Sequence, residues 1–176
     1  PQSDLDFKST VKKSSRGNSM KALVTAGGTY EPIDNVRVLT NLSTGKTGQK
    51  IATYLQEMGF EVDLLVSELS TLEKTTQMIN VDRFSTFTSL KDKMSAMLKE
   101  NKYGLVIHAA AVGDYRVSEI NGVGHSSMEK GKIPSGESLT IKLEPNPKII
   151  NSIKEISPNS ILVGFKLVFG LSKADL

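Results

Sequence analysis

The stretch from Met20 to Ala52 constrains the fold more than any other part of the chain. It opens on a short apolar, β-branched run, residues 22–26, which is typical of a buried strand in a parallel sheet. Gly27 and Gly28 end that strand, and a helical period of apolar residues follows further on. Because similar strand and helix patterns recur downstream, we expect the α/β class, as a Rossmann-like three-layer domain with a mostly parallel sheet.

The connection between this strand and its helix is long and polar. Such connections usually have about two to six residues, and long loops in compact domains are usually functional or disordered. Strand-end glycines let a ligand approach the backbone, and the N–H groups at a helix start attract anions. Ser43 or Thr44 is expected to cap the helix. Its apolar face is predicted to contain Ile51, Leu55 and Met58. The alternative is a plain α/β connection.

Neither standard phosphate-binding motif fits this stretch. The triplet at residues 45–47 is like the end of a P-loop, but Thr40 stands where that motif has its first glycine. The glycines do not follow the GxGxxG spacing either, because the long insertion splits Gly27 and Gly28 from Gly45 and Gly48. The prediction therefore remains that this turn binds a nucleotide, although it follows neither of these two motifs.

From Gly27 the chain reads GGTYEPIDNVRVLTNLSTGKTG. This resembles the signature of the phosphopantothenoylcysteine synthetases of coenzyme A biosynthesis, in which a glycine-rich turn is followed by E, ID, VR, TN and S(S/T)GxxG. Later segments agree in order: AAAVGDY from Ala109, KIPSGESLTIKL from Lys132, NPKII from Asn146 and VGFK from Val163. The resemblance covers about residues 20 to 168.

The resemblance implies a ligase that joins 4′-phosphopantothenate to cysteine through an acyl-nucleotide intermediate. CTP or ATP is the implied co-substrate, with Mg²⁺ as the cofactor and a homodimer as the assembly. The choice between the two nucleotides stays open. So do the metal ligands and the roles of Glu31, Asp34 and Arg37, which either order the long loop or complete a partner subunit's site.

Two residues are implied to be catalytic. Asn41 follows from the TN motif, and Lys132 from the lysine that opens the KI motif, with Lys130 as a rival because the neighbouring residues differ from the family pattern. The nucleotide is expected to contact backbone at the glycine turn and helix start, and residues that follow later strands. These are Gly27, Gly28, Ser43, Gly45, Ala110, Ala111, Asp114, Asn146, Pro147, Lys148, Ile149 and Phe165.

Further strands are predicted at 61–66, 78–84, 105–110, 138–143 and 161–165, and helices at 86–101 and from Asn146, with Asn146 as the cap and Pro147 first in the helix.

His108 lies in an apolar strand and is predicted to be structural. His125 shows no metal partner in the polar segment 118–131, which is predicted to be a mobile loop.

Length and composition limit the function classes. At 176 residues, with 38% hydrophobic and 23% charged residues, the chain suits one globular domain, and no apolar run approaches the roughly 18 residues of a membrane span. Residues 1–19 are predicted to be a leader or expression tag; residues 20–176 form the ligase domain, whose end is either truncated or divergent. The leader holds four of the 22 basic and two of the 19 acidic residues, so the rest has a formal charge of +1.

A nearly neutral body offers no basic face to nucleic acid. The sequence has no cysteine, which excludes disulfides and thiolate chemistry and suits a reducing cytoplasm.

Two rival functions stay open. LVTAGGT and VIHAAAVGDY together suggest a nicotinamide-dependent reductase of the short-chain type, but none of the four tyrosines has a lysine four residues later to form a YxxxK pair. The other rival is a non-catalytic nucleotide-binding subunit.

Overall fold

The computed structural model describes residues 19–72, 79–124, 131–134, 136 and 138–166. Ten strands and three helices lie within these residues. In chain order they are β1 Lys21–Ala26, β2 Tyr30–Pro32, β3 Val38–Thr40, α1 Lys46–Glu57, β4 Glu61–Ser67, β5 Ile79–Phe84, α2 Phe87–Glu100, β6 Leu105–His108, β7 Tyr115–Ile120, β8 Val123–Gly124, β9 Ile141–Pro145, α3 Ile149–Ile156 and β10 Ile161–Gly164.

Five of the strands form one parallel sheet, in the spatial order β5-β4-β1-β6-β10. From β1 the chain moves outward through β4 to β5, and then returns to place β6 on the other side of β1. The order therefore reverses between β1 and β6. Open sheets of this kind bind their ligands at the carboxyl ends of the strands beside such a switch point.

Helices cover both faces of this sheet because successive residues of a strand point to opposite sides. Ala22, Val24 and Ala26 of β1 belong to the core on the α1 side. Leu23 belongs to the opposite core, where α2 contributes Leu90, Met94 and Leu98 and α3 contributes Ile149 and Ile153. The three-layer, mostly parallel α/β fold predicted from the sequence is confirmed.

Most predicted elements of the sheet and its helices are confirmed within one or two residues, including β1, β4, β6, β10 and α2. The helical face of α1 is also confirmed, because Leu55 is buried and Ile51 and Met58 pack against the core. Thr86 caps α2 by accepting a hydrogen bond from the backbone N–H of Ser89 at 3.2 Å. β5 is confirmed from Ile79 onward, and Met78 lies outside the described residues.

The predicted cap of α1 is wrong. The N-cap is Gly45, with φ near +73° and no side-chain capping bond, whereas Ser43 and Thr44 precede it. The reason is steric, because a Cβ at Gly45 would stand 2.8 Å from Oγ of Ser70 and 3.1 Å from the backbone nitrogen of Gly27. Glycine permits both the left-handed backbone and this close approach.

The predicted start of α3 is also wrong. The helix begins at Ile149 with Lys148 as its N-cap. Asn146 lies two residues before that N-cap, and its side chain is turned to Gly113, where Nδ2 donates to the carbonyl oxygen at 3.1 Å. A contact across the fold thus replaces the local cap that the Asn-Pro pair favours.

A small antiparallel sheet of β8, β7 and β9 stands apart from the central sheet. The loop predicted for 118–131 is therefore wrong for residues 118–124, which form the end of β7, a turn and β8. Residues 125–130, with His125 and Lys130, lie outside the described residues. The strand predicted at 138–143 is shifted to Ile141–Pro145, and Leu143 is exposed.

The described helices include none that is long and apolar enough to cross a membrane. The predicted leader, except Ser19, and the last ten residues lie outside the part of the chain that the structure describes.

Candidate functional site

The switch point brings the two predicted glycine- and alanine-rich segments together. The carbonyl oxygen of Gly27 accepts a hydrogen bond from the N–H of Ala111 at 2.8 Å, and the carbonyl oxygen of Ala111 accepts one from Thr29 at 3.2 Å. Gly28 and Ala111 form a parallel bridge. The pairing of β1 and β6 thus continues beyond both strands, so the turn at Gly27 and the segment from Ala109 form one surface.

The glycines that are separated in sequence meet at this surface. A Cβ on Gly27 would stand 2.4 Å from Oγ of Ser70, and a Cβ on Gly48 would stand 2.6 Å from Cβ of Ala26. Gly45 contacts Gly27 directly, as described above. A tight turn, a close backbone approach and close helix–strand packing are the three glycine roles of the dinucleotide fingerprint. Tertiary structure therefore brings the split glycines together although their linear spacing does not match the fingerprint.

Asn41 is held over this surface. Thr40 donates its hydroxyl to the carbonyl oxygen of Thr29 at 2.8 Å, and the side chain Nδ2 of Asn41 donates to the carbonyl oxygen of Val112 at 3.2 Å. A Cβ on Gly28 would stand 2.7 Å from the carbonyl oxygen of Asn41, so only glycine fits beneath it. Asn41 is exposed, and its amide is accessible to a ligand.

The segments after β6 and β9 meet at the rim of the same surface. The N–H of Asn146 donates to the carbonyl oxygen of Asp114 at 2.7 Å, beside the side-chain contact of Asn146 with Gly113. Nζ of Lys148 lies 2.5 Å from Oδ1 of Asp114, and both side chains are more than 60% exposed. Pro147 lies between these contacts, and Ile149 is buried beneath them.

Two buried side-chain atoms of the site have no hydrogen-bond partner within the described residues: Oγ of Ser70 and Oδ1 of Asn146. Buried polar atoms in proteins are nearly always bonded, so each unpaired one calls for an explanation. Both border the surface of the predicted nucleotide site. A bound ligand or water that supplies a partner there would remove the deficit.

Beneath the site, a buried hydroxyl holds the end of β6. Oγ1 of Thr25 accepts a hydrogen bond from the N–H of Ala110 at 3.1 Å, and lies 2.9 Å from Nδ1 of His108. Which of the two atoms donates in this second contact depends on the tautomer of the ring. Burial lowers the pKa of His108 to about 4, so the ring is neutral at pH 7. The structural role predicted for His108 is confirmed.

Three hydroxyl residues, Thr25, Thr29 and Ser67, hold backbone at this edge and were not predicted from the sequence. Oγ1 of Thr29 accepts from the N–H of Gly113 at 2.8 Å, Ser67 donates to the carbonyl oxygen of Gly28 at 2.7 Å, and Thr25 acts as described. All three are buried. The available signal was a hydroxyl at or beyond the carboxyl end of an apolar strand, where a core side chain would be expected.

Lys132 and Phe165 are the predicted site residues that the structure does not join to the others. Both are exposed. In the described ranges, no hydrogen bond or ion pair links Lys132 to Asn41 or to the glycine turn. Phe165 follows β10 at the carboxyl edge of the sheet. Lys132 instead lies between two residues whose backbone is bound to the long loop.

The acidic and basic residues of the long loop order it. Oε1 of Glu31 accepts from the N–H of Phe87 at 2.9 Å, and so helps to cap α2. Asp34 binds Arg37 and the N–H of Ile133, and Arg37 donates to the carbonyl oxygen of Ile133 at 2.8 Å. The Arg37 guanidinium and the N–H of Ile133 hold the pKa of Asp34 well below its usual range. Their remaining role, at a partner subunit's site, stays a prediction.

Within the described residues, no group of three or more His, Cys, Asp or Glu side chains could enclose a metal ion. The site there consists of backbone groups, small side chains, amides and the exposed pair of Asp114 and Lys148. Such a surface suits an anionic ligand that brings its own counter-ion.

Comparison with known proteins agrees with this geometry. A family described as "DNA/pantothenate metabolism flavoprotein C-terminal domain" matches residues 18–169. The chain is 40% identical over 156 residues to the coenzyme A biosynthesis bifunctional protein CoaBC of Thermococcus kodakarensis, which covers 89% of this chain and 36% of that protein. A second CoaBC, from Methanocaldococcus jannaschii, matches 91% of this chain, and the match covers 38% of that protein. The chain therefore spans a little over a third of the length of these curated relatives.

A solved structure of the DNA/pantothenate metabolism flavoprotein from Streptococcus pneumoniae superposes with a TM-score of 0.78 at 30% identity, covering 90% of this chain and 74% of that one. The family match extends over the switch point and the long loop. The chain therefore belongs to the family of DNA/pantothenate metabolism flavoprotein C-terminal domains.

Proposed function

We propose that the chain is a phosphopantothenate–cysteine ligase, which makes 4′-phosphopantothenoylcysteine through an acyl-nucleotide intermediate. The observation that supports it most is the position of Asn41, held over Gly28 and Val112 where the pairing of β1 and β6 continues into the loops. Membership of the family and the similarity to proteins named for coenzyme A biosynthesis point to the same reaction.

The reaction needs two steps because a carboxylate is a poor electrophile. In the first, an oxygen of the phosphopantothenate carboxylate attacks the α-phosphorus of CTP or ATP, and pyrophosphate leaves. In the second, the amine of cysteine attacks the acyl carbon, loses a proton and displaces the nucleoside monophosphate. Much of the acceleration in such a reaction comes from holding the two anionic reactants in line.

The turn and the start of α1 provide the phosphate-binding groups. α1 has no acidic residue in its first turn and no side-chain cap, so its first N–H groups are available to an anion. The N–H of Lys46 makes only a long hydrogen bond, of 3.5 Å, to Oγ1 of Thr44. Gly27 and Gly45 bring this helix start against the end of β1, next to the site where the triphosphate would lie.

Asn41 binds the reacting end of the substrate in this proposal. Its amide can donate one N–H to an acyl-phosphate oxygen without adding charge, while the other keeps the 3.2 Å contact with the carbonyl oxygen of Val112. A preorganised neutral donor of this kind stabilises negative charge that develops in the transition state. Lys132 is proposed to supply positive charge to the same phosphate.

Mg²⁺ fits this site only in one manner. The ion usually keeps several waters and is bound by one or two carboxylates together with substrate phosphates. The described residues offer Asp114 at the rim and no carboxylate cluster, so we propose that the ion enters with the triphosphate, whose charge it offsets. We also propose a homodimer and a location in the cytoplasm.

The reductase alternative has little support in the structure. Two of the four tyrosines are already bound to carboxylates, since Tyr30 donates to Glu68 at 2.9 Å and Tyr103 donates to Asp63. The short-chain class needs a tyrosine whose hydroxyl faces a lysine four residues on, and no such pair exists in this sequence.

One assay separates the proposed function from both rivals. Pyrophosphate release is measured with phosphopantothenate, cysteine and each of the four nucleoside triphosphates in turn, beside NADPH oxidation. We expect release that requires phosphopantothenate and either CTP or ATP. Oxidation of NADPH without pyrophosphate would establish the reductase, and nucleotide binding with neither reaction would establish a non-catalytic subunit.

A further inference from the structure

A short segment of chain, residues 131–134, is fastened to the turn between β2 and β3. We call it the lysine strap because Lys132 is its second residue. Its backbone makes three contacts. The N–H of Asn35 donates to the carbonyl oxygen of Gly131 at 3.4 Å, the N–H of Ile133 donates to Oδ2 of Asp34 at 3.0 Å, and Nη2 of Arg37 donates to the carbonyl oxygen of Ile133 at 2.8 Å.

The two oxygens of Asp34 have different tasks. Oδ1 accepts from the N–H groups of Val36 and Arg37 at 2.9 and 2.7 Å, which closes the local turn. Oδ2 accepts from Nε and Nη2 of Arg37 and from the N–H of Ile133. The carboxylate is nearly inaccessible, with 2% of its side chain exposed. One oxygen therefore orders the turn and the other holds the strap.

β2 and β3 pair as an antiparallel hairpin, which connects the strap to the switch point. β3 runs directly from Arg37 to Thr40, and the contacts of Thr40 and Asn41 with the backbone of Thr29 and Val112 fasten its other end. This hairpin thus joins the segment that bears Lys132 to the segment that bears Asn41. Asp34, in the turn of this hairpin, can therefore fix the position of the backbone from which the Lys132 side chain extends.

We propose that Asp34 is a positioning residue for Lys132. Through Ile133 and Arg37 it fixes the backbone on the carboxyl side of the lysine, so that a flexible four-carbon side chain starts from a defined point. Holding the reacting groups in place lowers the entropy that is lost in the transition state. The inference rests on the proposed function for the role of Lys132, but the tether itself does not.

Asp34→Asn is the sharpest test because it keeps shape and changes one oxygen. The amide retains one acceptor for the turn and presents an NH₂ group to the N–H of Ile133 and to Arg37. Trypsin cleavage between Lys132 and Ile133, followed by mass spectrometry, reports on the tether without any substrate. We expect cleavage at least about 10-fold faster than in the wild type, since proteases cut segments that open locally.

Asp82→Asn is the matched control, because it removes a carboxylate from an exposed pair with Lys93 at 2.8 Å and leaves the strap untouched. Equal cleavage in Asp34→Asn and the control would overturn the proposal. If Asp34→Asn does not fold, Arg37→Lys takes its place, because it removes the guanidinium that binds the carbonyl oxygen of Ile133. Equal trypsin cleavage of Arg37→Lys and of Asp82→Asn would then overturn the proposal.

Turnover then shows whether Asp34 acts through the lysine. Pyrophosphate release is measured for Asp34→Asn, Lys132→Ala and the double variant. We expect each single change to lower kcat and the double variant to match Lys132→Ala within about twofold, since groups that act as a unit are not additive. Additive losses would overturn the positioning role.

Lys130→Ala, measured beside these variants, decides between the two lysines. If it is the damaged variant and Lys132→Ala turns over normally, the positioning role is overturned. If the wild type releases no pyrophosphate at all, the proposed function fails, and the cleavage rates still decide whether the tether exists.

Discussion

The amino ends and the carboxyl ends of the parallel strands form two edges of the central sheet, and the polar side chains at these two edges have different hydrogen-bond partners. At the amino edge, the buried carboxylate of Asp63 is surrounded by Tyr103, by Nζ of Lys21 at 3.1 Å and by Nδ2 of Asn80 at 3.1 Å. Lys21 also reaches Oδ1 of Asn101 at 2.9 Å. These side chains satisfy one another, and nothing in the cluster is left for a ligand.

At the carboxyl edge, three buried hydroxyl side chains bind backbone groups. Thr25, Thr29 and Ser67 each hold a loop through a backbone N–H or carbonyl group, while Oγ of Ser70 and Oδ1 of Asn146 have no partner in the described residues. Polar side chains at the amino edge therefore stabilise the fold by binding one another, whereas the buried hydroxyls at the carboxyl edge hold the loops in which the predicted site residues lie. Three predictions test this contrast.

The largest effect is expected from Asn41→Asp. The change keeps the shape of an exposed side chain but replaces a donor by a carboxylate beside two anionic reactants. Loss of one oriented donor typically costs about 10²- to 10³-fold in turnover. The melting temperature should not change, and kcat from pyrophosphate release should fall; normal turnover would show that Asn41 is only a loop residue.

The next effect is a loss of stability in acid that comes from His108, which lies under the carboxyl edge. Its pKa is about 4 in the folded protein and 6.5 in its ordinary state, so the unfolded chain binds the extra proton first as the pH falls. Stability should fall between about pH 6.5 and 4 and then level off. At 1.36 kcal/mol per pKa unit the loss is about 3 kcal/mol.

Urea unfolding of the wild type and of His108→Gln, each at pH 7 and pH 4, isolates this contribution, because the other titrating groups are common to both chains. The difference in unfolding free energy between the two proteins should change by about 3 kcal/mol across that range. A constant difference would show that His108 does not cause the loss.

A smaller effect is expected at the amino edge from Tyr103→Phe. The hydroxyl is one of three donors to Asp63, and burial raises the pKa of Tyr103, so it remains a protonated donor. Removing it should cost about 1 to 2 kcal/mol of unfolding free energy. Turnover at 25 °C should be unchanged; a fall in kcat without a loss of stability would erase the contrast between the edges.

The sheet and its flanking helices could be predicted from the sequence because their signals are local. The apolar run of β1, the period of α2 and the strand before Ala109 each follow from the alternation or the 3.6-residue spacing of neighbouring residues. The positions of Gly27, Asn41 and Ala111 at strand ends and in the long loop followed from the resemblance together with this pattern.

The starts of α1 and α3 could not be predicted as reliably, because at each of them a tertiary contact outweighed the local capping preference. Gly45 caps α1 since it must fit against Gly27 and Ser70, and Asn146 leaves the start of α3 to bind the backbone of Gly113. Capping preferences are worth only about 1 kcal/mol, which a buried hydrogen bond elsewhere can exceed.

Local patterning determined the α/β class, the βα unit at the glycine turn and the core of the sheet, because burying apolar faces requires only that neighbouring residues have the right period. Only the tertiary structure decided how the split glycines meet, how Asp34 holds a segment almost a hundred residues away, and which polar atoms stay unpaired. Those contacts join residues distant in sequence, and each is a directional hydrogen bond or a close approach that exists only once the strand order has placed the loops together.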